Sequence, residues 1–428
     1  MVACGNVHAL SRPTDVKSRS DGSAATSSIR FVEERAALTP SHELRARLAR
    51  FQRALRESAV EVALVVQNAD LFYFSGTVQQ SYLAVPVEGE PALFTRKTVA
   101  RARLETALPV VPLGTVRRLP HLLRERYGVV PRRVGLELDV LPVNHLRRLE
   151  ALFEGAEMVD VSPLIVGQRA VKSAYEIELI RAAGRVTIAA MERVPELLRE
   201  GLTEAEFAGR VEAVARSLGH QGIIRMRGFN QEMFYGQLLA GASGVVSSFL
   251  DTPLAGTGLS PAVAQGVSFK RIGRGEPVVF DFVSVVDGYT ADFTRVFSIG
   301  PLAHELVRAY DAALRIERAV VDVARPGVSC RALYERAVAV AEEEGLGSGF
   351  MGHGEGQVRF VGHGVGVELD ELPVISPNGR ALEEGMVFAL EPKFVLPGVG
   401  AIGVENTWAV TGDGLTLLTD ASEEIRYL

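Results

Sequence analysis

The sequence predicts an α+β protein of two domains, with a smaller α/β unit first and a larger unit built from two similar halves. Three observations carry this. The chain has 428 residues, too many for one small core, so two domains are expected. Helical and strand patterns alternate along the first third. Further on, GLTEAEFAGRVEAVARSLG from Gly201 and GVSCRALYERAVAVAEEEG from Gly327 align at a constant offset, pairing Gly201 with Gly327, Phe207 with Leu333, Arg210 with Arg336 and Gly219 with Gly345. The spacing is far too long for a solenoid repeat. It suggests a pseudo-twofold domain with its site between the halves.

Taken in order, residues 1–38 are rich in Ser, Ala, Asp and Arg. They contain no apolar stretch of secretory type and are expected to form a flexible tail. The smaller domain is expected over 39–165. A helix pattern covers 42–58, a strand 60–66, strands 82–86 and 92–95, a helix 119–127 and a strand 134–138. No ligand cluster stands out in this unit, which suits a structural or dimer-forming role. The larger domain is expected over 166–428. Ser173-x-x-Glu176 is a capping box opening a long helix, whose apolar face carries Ile177, Ile180, Ala183 and Ile188. Thr203-x-x-Glu206 opens the next helix in the same way.

Composition narrows the function. Hydrophobic residues make up 47% and charged residues 23%, and the net charge is −6, so a nucleic-acid footprint is not expected. No apolar run reaches the length of a membrane span. The two cysteines, Cys4 and Cys330, imply no disulfide framework and fit a reducing cytoplasm.

Five residues carry the chemistry: Asp281, Asp292, His363, Glu391 and Glu405. Residues 277–286 and 289–297 are β-rich runs around Asp287-Gly288, a strong two-residue hairpin signal. That register sets Asp281 opposite Thr294 and Asp292 opposite Val283, with both aspartates on one face. Glu391 ends the run 386–390, and Glu405 lies in the run 401–410 beyond Pro397-Gly398. This makes a second hairpin with a carboxylate on each strand. His363 is flanked by glycines, which allow close backbone approach; Gly352-His353-Gly354 has the same form. Four carboxylates are costly to bury together unless cations neutralise them. Two divalent metals would balance the charge and could activate water.

These residues resemble the pita-bread metallopeptidases, which include Xaa-Pro aminopeptidase, prolidase and methionine aminopeptidase. The likeness covers 166 to the C-terminus, with a weaker likeness of the smaller domain to the creatinase/prolidase N-terminal domain. Asp281, Asp292, Thr294 and Arg295 match the paired-aspartate motif. Gly362 to Gly366 with Glu371 and Pro373 match G-H-G-x-G followed by E-x-P. Glu391-Pro392 and Glu405 match the two glutamate motifs. The resemblance implies that Asp281 chelates one metal, that His363 and Glu391 hold the other, and that Asp292 and Glu405 bridge them. A metal-bridging hydroxide would attack a short-peptide amide. Mn, Co, Fe and Zn all suit the set. The likeness also selects His363 over His353, and implies a homodimer.

The departures are specific. The family's two accessory histidines are missing: Asp370 stands at one position, and the stretch after Ser243-Gly244 has none. Gly403 stands where an arginine is usual, and Asn406 where an aspartate is usual. Asp370 is the candidate catalytic replacement. Tyr235, Gln237, Asp251 and His353 are candidate substrate-binding residues. The polar stretch 225–232 either binds a charged substrate end or is a locally bonded loop. Two functions follow: a metal-dependent Xaa-Pro-type peptidase, or a metal-dependent non-peptidase hydrolase or lyase acting on a small amide or other metabolite.

Overall fold

A computed structural model describes residues 38–428. The expected tail over 1–38 lies outside them apart from Leu38.

The smaller domain is a six-stranded mixed sheet in the order β4-β3-β2-β1-β5-β6. Its strands are β1 (Val62–Val65), β2 (Ser81–Pro86), β3 (Ala92–Thr95), β4 (Val110–Pro112), β5 (Arg133–Leu136) and β6 (Glu157–Asp160). The expected helices are present at Ser41–Glu57 and Leu119–Tyr127. Helix Val143–Leu152 is not anticipated from the sequence, and several other unanticipated elements lack a clear period. Helix Asn68–Ser75 buries most of its positions, so it has no polar face to give contrast. Helix Val99–Glu105 buries only Ala102, and β4 and β6 are short and partly exposed. Helix Ser162–Ala170 runs across position 165, where the domain boundary was expected.

The larger domain repeats one plan twice. Helices Ala174–Met191 and His304–Val321 have 18 residues each, and Glu204–Ser217 and Cys330–Glu343 have 14 each. Both expected capping boxes form, at Ser173/Glu176 and Thr203/Glu206. The N-cap residues Thr203 and Ser329 also bridge matching extended segments, at Arg271 and Ala381. Gly201 and Gly327 have φ of +83° and +88°, a backbone state that glycine adopts without steric cost. The repeat is therefore structural as well as sequential.

Each half supplies a sheet. The first contains β7 (Gly236–Ala240), β8 (Val278–Phe282), β11 (Thr294–Ser298) and β19 (Arg426–Tyr427), in the order β19-β11-β8-β7. Between β8 and β11 the chain extends into the hairpin β9 (Ser284–Val286) and β10 (Tyr289–Ala291). The second contains β12 (Gly362–Gly364), β13 (Glu371–Val374), β14 (Val387–Leu390), β17 (Asn406–Val410) and β18 (Leu415–Leu417), in the order β13-β12-β14-β17-β18. Here β15 (Lys393–Leu396) and β16 (Gly400–Gly403) extend β14 and β17. Thr294 and Glu405 exchange backbone hydrogen bonds at 3.3 Å, stitching the two hairpins together.

The smaller domain is held against the first hairpin. Arg47 is fully buried and donates to Tyr73 O at 2.8 Å and to the Tyr289 hydroxyl at 2.9 Å. Tyr289 in turn donates to Glu176 at 3.1 Å. One core cluster includes Phe51 and Phe74 from the smaller domain and Val283, Tyr289 and Val367 from the larger. This continuous burial fixes where the hairpin stands.

Candidate metal centre

Both expected hairpins form, the first in the expected register. Asp281 pairs with Thr294, and Ser284 with Ala291, so the same register on either side sets Asp292 opposite Val283. Asp287 and Gly288 have φ of +47° and +86°, as a two-residue hairpin turn of this kind requires. In the second half, Leu390 pairs with Asn406, and Lys393 with Gly403. Glu391 therefore lies opposite Glu405, at the break between the paired segments.

The four carboxylates are buried and His363 is half-buried, with 18% of its side chain exposed. Asp292 Oδ2 and Glu391 Oε1 each lie 3.7 Å from His363 Nε2. Asp292, His363 and Glu405 each present a ligand atom within 4.8 Å of the others. The His363 ring is oriented by its other nitrogen. Nδ1 lies 2.9 Å from Leu369 O, and a carbonyl can only accept, so the proton sits on Nδ1. Nε2 is left with its lone pair facing the carboxylates, as a metal ligand requires. Glu405 Oε1 is buried without a hydrogen-bond partner, while Oε2 accepts from the Thr294 hydroxyl at 2.7 Å. An orphaned carboxylate oxygen in a group that also holds an imidazole lone pair fits a divalent cation.

Lys393 is the residue that sequence reading missed. Its ammonium is buried and lies 2.8 Å from Asp281 Oδ2, from Glu391 Oε2 and from Glu405 Oε2. Burial alone would lower its pKa; Asp281, Glu391, Glu405 and Asp292 outweigh that and hold it well above the usual lysine value. Burial raises the carboxyl of Asp292 well above its ordinary value, and Glu405 and Asp281 add to this. The signal was in the sequence. Lys393 follows Glu391 by two positions, and in extended chain such residues point to the same side.

The expected accessory residues divide into two groups. A cavity of about 210 Å³ opens onto Asp281, Asp292, His363, Glu391 and Lys393, and its walls include Gln237, Asp251 and Asp370. Asp370 accepts from the Arg227 backbone N at 3.0 Å. Both side-chain polar atoms of Gln237 are buried and unpartnered. Tyr235 and His353 are not brought to this cavity. Tyr235 packs on His220, with ring centroids 4.4 Å apart, and His353 is exposed, 3.3 Å from Ser348 O. The stretch 225–232 divides similarly. Met226 and Gln231 line the cavity, while the Arg227 guanidinium is taken up by Asp139 and Asp70. Asn406 donates from Nδ2 to Glu317 at 2.8 Å and to Glu423 at 3.0 Å. An aspartate there would set a third carboxylate against two.

Duplicated halves, a buried carboxylate–imidazole centre between them and a small cavity define a metallohydrolase of the pita-bread class. The profile of metallopeptidase family M24 matches residues 178–412, and that of the creatinase/prolidase N-terminal domain matches 47–171. The chain belongs to metallopeptidase family M24. It is 26% identical over 386 residues to an Xaa-Pro dipeptidase of Pyrococcus furiosus, covering 89% of this chain and 100% of that one. It is 28% identical over 296 residues to an Xaa-Pro dipeptidase of Lactobacillus delbrueckii subsp. lactis, covering 69% and 72%. Its fold is similar to that of a prolidase of Pyrococcus horikoshii OT3, with a TM-score of 0.75, 24% identity and coverage of 89% and 99%. An X-Pro aminopeptidase from Thermotoga maritima MSB8 aligns with a TM-score of 0.74, 24% identity and coverage of 88% and 100%.

Proposed function

We propose that this chain is a metal-dependent peptidase that cleaves the amide bond of short Xaa-Pro peptides. The single observation that carries this is the grouping of Asp292, His363 and Glu405, with a ligand atom of each within 4.8 Å of the others and Glu405 Oε1 buried without a partner. Asp292, His363, Glu391 and Glu405 would hold the cation. When bound, a divalent ion there polarises the amide carbonyl and makes water acidic enough to act near neutral pH. Thr294 donates to Glu405 and so fixes which of its oxygens stays free. Gln237 offers an amide donor and acceptor to a polar substrate group from the cavity wall. At about 210 Å³ the cavity lies below the usual range for drug-sized ligands, which suits a dipeptide or tripeptide. The naming of relatives from two different organisms as Xaa-Pro dipeptidases supports the same substrate class.

The reading includes a homodimer. Phe229 and Phe249 are 92% and 66% exposed, on loops whose neighbours Gln231 and Asp251 line the cavity. A second copy would cover both, and sedimentation should give twice the chain mass. A reducing cytoplasm suits the free, buried thiol of Cys330.

The test is product analysis by mass spectrometry on Xaa-Pro dipeptides and longer Xaa-Pro-started peptides, with Asp292→Ala as control. Cleavage that disappears in the variant is expected, and peptide length separates dipeptidase from aminopeptidase. No cleavage by metal-loaded protein would refute the peptidase reading.

A further inference from the structure

Four carboxylates meet at the centre, but only one side of it is free to receive a metal. Asp281 faces Lys393, and the ammonium is fully engaged. An ammonium has three N–H donors, and three carboxylate oxygens stand around this one, each at 2.8 Å. Glu391 and Glu405 are each divided between two cation positions. Their Oε2 atoms take the ammonium, while Glu391 Oε1 lies 3.7 Å from His363 Nε2 and Glu405 Oε1 is unpartnered.

The opposite strand is shaped to admit this lysine. Gly403 pairs with Lys393 across β15 and β16. A Cβ on Gly403 would stand 2.6 Å from Lys393 Cγ and 2.6 Å from Pro392 O, closer than real contacts allow. The lysine stem occupies the space that a side chain at 403 would need. In this backbone an arginine at 403 has no room, because Pro392 O at 2.6 Å and Lys393 Cα at 2.7 Å crowd the position as well as the lysine stem.

We propose that the Lys393 ammonium permanently fills one of the two cation positions, so that this centre binds a single divalent metal through Asp292, His363, Glu391 and Glu405. This replaces the expectation of two metals, because an ion held by Asp281 Oδ2 and Glu405 Oε2 would have to stand where the ammonium stands. It rests on the metal-centre part of the proposed function and not on the choice of substrate. The charge balance also differs from that of a two-metal centre. Four carboxylates face one dication and one ammonium, leaving the site with one net negative charge.

The experiment is a metal count on chelator-stripped protein reloaded with Mn²⁺, Co²⁺ or Zn²⁺ alone, by elemental mass spectrometry and by calorimetric titration. The wild-type chain should bind one ion. Asp281→Asn, which changes the carboxylate facing the ammonium and none of the four proposed ligands, should still bind one, and Asp292→Ala none. Lys393→Ala should bind two, since it vacates the position while leaving Gly403 open. Two ions in the wild type would overturn the inference and leave the metal-centre reading standing; none in the wild type would overturn both. A single ion in folded Lys393→Ala would show that the side chain is not what holds the second ion out. If that variant does not fold, loss of the ion from Asp281→Asn would overturn the inference instead.

Discussion

Glu317 offers a quantitative check on the surroundings of the centre. It lies on helix His304–Val321, buried, and its carboxyl is pushed up to about 7 by burial and by the nearby Glu423. It accepts from Asn406, the residue next to Glu405, and from the Trp408 indole. An unfolded chain would titrate this group near 4.5. A folded-state value above the unfolded one means that its contribution to stability is fully present below about pH 4.5. That contribution is lost as pH rises toward 7. The gap between 4.5 and about 7 is worth about 3 kcal/mol at ~1.4 kcal/mol per unit. Glu317→Gln keeps an acceptor oxygen for both donors and cannot ionise. Urea unfolding of both proteins, metal-free, should therefore be run from pH 4 to pH 8. The variant should gain about 3 kcal/mol relative to wild type across that range, with the change centred between pH 4.5 and 7. A stability difference that stays flat with pH would refute the reasoning.

Three further outcomes are expected. Glu371 lies between Arg169 and Lys172; burial alone would raise its pKa, but the two cations outweigh that and bring it to about 2. Its contribution is present above pH 4.5 and lost as pH falls toward 2, and Glu371→Gln should cost about 3–5 kcal/mol at pH 7 by leaving Lys172 buried and short of its carboxylate. Gly288→Ala should destabilise by roughly 1–3 kcal/mol, because its Cβ would stand 2.4 Å from the Phe72 ring at a φ of +86°; thermal unfolding checks it. Gln237→Met should leave stability unchanged or raise it by about 1–3 kcal/mol, since it removes buried unpaired polar atoms. Steady-state kinetics on Xaa-Pro dipeptides should show a higher KM.

The legible parts of the sequence were those where local chemistry and tertiary demand agree. Asp287-Gly288 set the first hairpin's register because both residues take up the positive φ values of a tight two-residue turn. The capping boxes fixed two helix starts for the same reason, with side chain and backbone satisfying each other in place. Helix Asn68–Ser75 was illegible because it is buried nearly all round and loses its periodic signature. Tyr235 and His353 lie in other surroundings than the cavity, one stacked on His220 and one in solvent. Lys393 was passed over for a different reason. A lysine among strand residues reads as an edge charge until the three carboxylates around it are brought together from Asp281, Glu391 and Glu405. Gly403 read as a missing arginine until Lys393 stood against it.

The measurement that tests the account most directly is Xaa-Pro dipeptide hydrolysis followed while metal is added back to stripped protein in sub-stoichiometric steps. The account predicts a rate that rises linearly and levels off at one metal ion per chain. Hydrolysis that levels off only at two ions would contradict the role of Lys393, and no hydrolysis at any loading would contradict the peptidase itself.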